Sequence, residues 1–162
     1  MGFSSVIVEG IILIAAIIAA SVFAATFMGK VFEVKDVFTQ LAKKNVERLK
    51  AKAVIVYATY DKDLGCFLIF AKNVGKIPIK PINEINVYFG TLGEARPYTY
   101  SDTPTSGQWS FIEYGVENSI WELGETLELR VFNSTSVKNP YYVKIVLPQG
   151  GIAEEIFSQT IR

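Results

Sequence analysis

From Gly10 to Gly29 the chain reads GIILIAAIIAASVFAATFMG, twenty residues without a single charge. Glu9 stands before this run and Lys30 follows it. Twenty helical residues at about 1.5 Å each reach about 30 Å, the thickness of the hydrocarbon core of a bilayer. A soluble helix so uniformly apolar would need a large protein to bury it, and 162 residues leave room for about one ordinary domain besides. Residues 1–29 are therefore expected to form a transmembrane helix, in contact with membrane lipid. A cleaved secretory signal would begin with basic residues and have a shorter apolar core. MGFSSVIVE has no Lys or Arg, and no cleavage pattern follows, so the chain is expected to be retained from Met1.

The span is rich in small residues. Ala16, Ala20 and Ala24 lie four apart on one face, a spacing that lets helices approach closely in lipid. Glu9, at the boundary, either sits in headgroup water or pairs with a neighbouring subunit's amino terminus. Beyond the span, KVFEVKDVFTQLAKKNVERLK contains no Gly or Pro. Val31, Val34, Phe38 and Leu41 there occupy successive a and d positions of a heptad. The same register runs back through Phe27, Ala24, Ala20 and Ile17, and turns polar forward at Asn45 and Arg48. Residues 30–50 are expected to continue the helix as a stalk. The stalk's apolar side either pairs with a second helix or packs on the chain's own following domain.

At Ala51 the period changes from helical to alternating. Residues 53–60, AVIVYATY, are β-branched and aromatic, DKDLG follows as a turn, and GCFLIFAKN returns as the second strand of a hairpin. VGKIPIKP is a loop and INEINVYFG a strand, and TLGEARPYTYSDTPTSG is turn-rich and expected to be exposed. QWSFIEYG, TLELRVFN, YYVKIVLP and AEEIFSQTI complete the strand candidates. Within TLELRVFN, Leu127, Leu129 and Val131 point one way and Glu128, Arg130 and Phe132 the other. Val143, Ile145 and Leu147 share a face opposite Lys144. Seven or eight short strands at regular spacing predict an all-β, immunoglobulin-like sandwich over residues 51–162.

The same sequence excludes much chemistry. It has no histidine and one cysteine, Cys66, which removes Ser-His-Asp and Cys-His constellations, most zinc sites and any internal disulfide. The carboxylates Glu113, Glu117, Glu122, Glu125 and Glu128 match neither a glycosidase pair nor a calcium loop, and are expected to be solvated. Asp61 and Asp63 suit a hairpin turn better than a cation site. No enzyme activity, cofactor or metal is expected. Residues 51–162 hold ten basic and twelve acidic side chains, and such a balance offers nucleic acid no basic face. Asn133-Ser134-Thr135 is an acceptor triplet for glycosylation at Asn133 if the domain lies outside the cell.

An apolar N-terminal helix, a short stalk and a β-sandwich, in that order, resemble the archaellin-like proteins of archaea. VEGIILIAAIIAASVFAATF is similar to the membrane segment of the FlaG family of archaellum stator proteins, in which an acidic residue precedes a run of Ile, Leu and Ala. FLIFAKNVGKIPI resembles the strand and Asn-x-Gly turn early in such β domains, and YYVKIVLPQGGIAEEIFS their final hairpin. The resemblance implies a structural stator or scaffold of the archaellum motor. Its β domain would lie between membrane and surface layer and bind a homologous FlaF-like β domain or a second copy of itself, with surface-layer protein as a further partner. A FlaF-like, surface-layer-binding stator and a filament-forming archaellin or type IV pilin-like subunit share the plan. A surface receptor module is the reading from another class. The absence of basic residues ahead of the apolar run favours a stator over a filament subunit. The positive-inside rule would place Lys30, Lys35, Lys43, Lys44, Arg48 and Lys50 in the cytoplasm. The resemblance and the acceptor triplet place the β domain outside a single-pass anchor in the cell membrane, the orientation adopted here.

Overall fold

The computed structural model describes residues 3–134 and 137–158. One helix, α1 (Phe3–Lys50), takes up the first third of the chain without a break, as the lack of Gly and Pro after Lys30 leads one to expect. Two hydroxyls of the apolar run are satisfied from within: Ser21 Oγ donates to the Ile17 carbonyl at 2.7 Å and Thr26 Oγ1 to that of Val22 at 2.9 Å. That is the requirement lipid places on every polar group. The helix is long and apolar enough to cross a membrane, with a mean hydropathy of 2.7 and none of its apolar window buried in the fold.

The chain divides into two compact units, one ending at Lys43 and one beginning at Lys44. The second holds the last turns of α1 and eight strands: β1 (Ala53–Asp61), β2 (Cys66–Asn73), β3 (Asn86–Thr91), β4 (Arg96–Tyr100), β5 (Gln108–Tyr114), β6 (Thr126–Phe132), β7 (Tyr141–Val146) and β8 (Ile152–Phe157). Their order is β1-β2-β6-β5-β4-β3-β7-β8. All neighbours are antiparallel except β4 and β5, which share a short parallel pairing through Thr99↔Gln108 and Tyr100↔Trp109. That link joins a β1-β2-β6-β5 layer to a β4-β3-β7-β8 layer. On the opposite side β1 and β8 lie beside one another without ladder bonds. The result is the immunoglobulin-like sandwich, nearly closed into a barrel.

Alternation places the core between the layers. Leu127, Leu129 and Val131 of β6 and Val143 and Ile145 of β7 are fully buried, together with Trp109, Trp121, Ile69 and Val87. At one end Phe67, Phe89, Tyr141 and Phe157 form an aromatic cluster, with Phe67 and Phe89 centroids 4.4 Å apart. Two sequence expectations need correction. INEINVYFG is not one strand: Ile82–Glu84 forms a 3-10 turn that buries Ile82, and β3 starts only at Asn86. RPYTY, expected as exposed turn, is the strand β4. Pro97 cannot donate to a ladder, and β4 tolerates it because its pairings are short, while Tyr98 and Tyr100 pack on the core.

Candidate assembly interface

Two surfaces lack the polar cover of a finished exterior. The first is on α1. Ala16, Ala20 and Ala24 lie along the helix in its apolar part, and Val31, Val34, Phe38 and Leu41 in the segment after Lys30. All seven are exposed, Phe38 at 68%. A helix holds its apolar side chains in water only at a cost, so lipid or another helix is the natural cover.

The second is the outer face of the β1-β2-β6-β5 layer. Register places Tyr57, Phe70, Glu128 and Ile112 in one row across the four strands, and Val54, Lys72, Thr126 and Tyr114 in the next. The β1 ladder slips between Ile55 and Tyr57. This bulge leaves Val56 and Tyr57 both exposed. Tyr57 and Tyr114, 59% and 55% exposed, flank the half-buried Phe70, with ring centroids 6.2 Å apart at each step. The outward side of this sheet is thus an aromatic stripe where a solvent-facing sheet carries polar residues.

Beneath the stripe lies a carboxylate that the sequence reading expected to be solvated. Glu128 is 2% exposed. Its register partners Phe70 and Ile112 stand on either side of it, and it is balanced by Arg130 Nε at 2.6 Å and the Tyr114 hydroxyl at 2.5 Å. The hydrogen bond to Glu128, with burial adding to it, raises the Tyr114 pKa above the usual phenol range. Glu113, 9% exposed, is the other correction: both its oxygens accept backbone N–H groups, from Asn118 and Ser119, each at 3.0 Å. Both carboxylates hold structure in place. A signal for the aromatic face was present in the sequence, since FLIF is a continuous apolar run with no polar alternate.

The base of the sandwich is built on the Asn-x-Gly turn. Asn73, the buried last residue of β2, donates through Nδ2 to the carbonyls of Ile77 and Trp121 and accepts from Gly75 N–H. Lys76 and Val74 N–H bond to the carbonyls of Lys50 and Lys52. A Cβ at Gly75 would stand 2.4 Å from the Lys50 oxygen, and one at Gly151 2.4 Å from that of Ala51. Both positions require glycine so that the chain leaving the helix can pass between them.

Asn133 follows β6 and lines a shallow cleft of about 270 Å³ with Arg96, Ser106 and Val137. Thr135, the third residue of its acceptor triplet, lies outside the described residues. Among the described residues no group of three or more acidic or cysteine side chains could hold a metal. Burial pushes the Cys66 thiol up to about 11, which leaves it inert as a nucleophile at neutral pH.

A long apolar N-terminal helix followed by an immunoglobulin-like β-sandwich, with apolar side chains exposed on the helix and on one sheet face, defines the architectural class of the chain. The sequence matches the archaeal-type flagellin family over residues 2–156, and the chain belongs to that family. The fold is similar to the archaellum periplasmic stator protein FlaG from Sulfolobus acidocaldarius, at a TM-score of 0.56 and 22% identity over 66% of this chain and 99% of that one. It is similar to a chain of the periplasmic stator complex of FlaF and FlaG from the same organism, at 0.56 and 23% identity over 65% and 88%. The archaeal flagellum of Methanospirillum hungatei strain JF1 gives 0.65 at 12% identity over 93% and 90%. No curated protein matches the sequence. The family and these relatives are structural proteins, and the chain is not an enzyme.

Proposed function

We propose that the chain is a stator or scaffold subunit of the archaellum motor. It is anchored by α1 with its sandwich outside the cell, where it pairs with a homologous β domain. The observation that carries this reading is the aromatic outer face of β1-β2-β6-β5. The domain already has a core between its layers, and the exposed rings of this second apolar surface suit association. In this orientation Asn133 faces the compartment where acceptor triplets are modified, and surface-layer protein is within reach as a further contact.

A filament subunit is the second reading, favoured by the likeness to the Methanospirillum hungatei flagellum, which extends over 93% of this chain. Shearing cells and weighing the chain in each fraction separates the two. A motor subunit stays with the membrane at the mass of the unprocessed sequence, with glycan added where Asn133 is used. Recovery from sheared filaments at a mass shortened at the N-terminus would overturn the motor role.

A further inference from the structure

The helix segment after the apolar run carries a charge pattern that bears on what can cover it. Building on the assembly role above, we propose that its apolar seam takes a partner helix flanked by acidic side chains and rejects a second copy of this chain. Val31 and Phe38 occupy a positions of the seam, and Val34 and Leu41 occupy d positions, all exposed. In that register Lys30 falls at g and Lys35 at e, the positions that border the seam and set partner choice in coiled coils. The acidic residues Glu33 and Asp36 fall at c and f. At about 100° per residue they sit on the far side of the helix. The charged residues that border the seam, Lys30, Lys35 and Lys44, are therefore all cations, with Val37 and Ala42 at the remaining flanking positions.

Two copies anchored in one membrane by the same end run parallel. In a parallel pair a g residue faces the e residue five positions on in the other chain, so Lys30 would meet Lys35 of the second copy, twice by symmetry. Like charges so placed disfavour the pair. Lys30 reaches Glu33 of its own helix at 2.7 Å, but both side chains are largely exposed and such a tie is weak. Lys35 has Val31, Phe32, Phe38 and Thr39 three and four residues away, none of them acidic. A partner with Glu or Asp at e and g would convert both repulsions into ion pairs beside an apolar contact. Ala20 and Ala24 continue the register inside the apolar run and permit close approach by any helix. They add affinity, and Lys30 and Lys35 add selection.

The test uses the full chain in lipid nanodiscs and two labelled synthetic helices of about four heptads, long enough to hold helical structure. Both carry Val at a and Leu at d. One has Glu at every e and g, the other Lys. Fluorescence anisotropy should show the acidic helix binding about tenfold tighter at low salt, the sum of a few exposed charge pairs at a few tenths of a kcal/mol each. The gap should close at high salt. It should reverse in the double variant Lys30→Glu, Lys35→Glu, and Phe38→Glu should abolish binding of both helices with helicity by circular dichroism unchanged. Equal binding of the two helices would overturn the proposal. So would a preference that survives the double charge reversal, or dimerisation of the unaltered chain that Phe38→Glu removes. The assay reads the helix alone, so recovery of the chain from filaments would sink the motor role and leave this result standing.

Discussion

Asn73 uses its whole amide inside the molecule, and the residues around it show how single positions hold the domain. Replacing it by Ala removes the side-chain donor from the Ile77 carbonyl and leaves the Trp121 carbonyl with the Ile79 N–H. The expected loss is about 1–3 kcal/mol, read as a shift in urea midpoint. Gly75→Ala should cost at least as much, because the added carbon meets backbone at Lys50 rather than a side chain that can move aside. Arg130→Ala would leave the Glu128 carboxylate under its aromatic cover with only Tyr114 as a donor. A destabilisation of about 3 kcal/mol at neutral pH is expected. Tyr100 gives an alkaline signature. Its hydrogen bond to Asp102, with burial adding to it, pushes its pKa up to about 12. The neutral phenol is thus favoured in the folded state. The stability this confers is complete below the ordinary phenol pKa of about 10 and is lost as pH rises through about 12. In Tyr100→Phe the fall in thermal midpoint across that window should be shallower.

At the level of elements, what the sequence made legible was what a strong period can encode. The uncharged run and the absence of helix breakers specified α1, and strict alternation specified the buried side of β6 and β7. Tyr98 and Tyr100 carried the same alternation in β4, but Pro97 and the turn residues around it masked five residues of strand. Of the outer aromatic face only the apolar run FLIF was legible, for a different reason. Pattern tells which residues of a strand share a side, and only register tells what stands beside them on the neighbouring strand. Glu128 looks solvated in TLELRVF until Phe70 and Ile112 are placed against it. The two phenylalanines of β2 therefore separate two roles. Phe67→Ala removes a core ring and should cost about 3–5 kcal/mol. Phe70→Ser should cost much less in a urea titration and instead weaken co-purification with a partner β domain. Equal destabilisation by both would place the outer face in the folding core.

For the whole molecule, the division at Lys43 and Lys44 predicts that a chain starting at Lys44 folds on its own. It should be soluble without detergent and unfold in one transition, since the second unit holds the entire buried cluster. The glycines at its base then acquire a mechanical meaning. Tension on α1 arrives at Ala51, where the backbone is gripped from two sides. The amides of Val74 and Lys76 hold Lys52 and Lys50, while Gly75 and Gly151 close against the chain like the jaws of a vice. These restraints stand in parallel and share the load, so they must fail together before β1 can peel from β2. A junction of that kind behaves as a rivet. It passes pull and torque into the sandwich instead of absorbing them in slack.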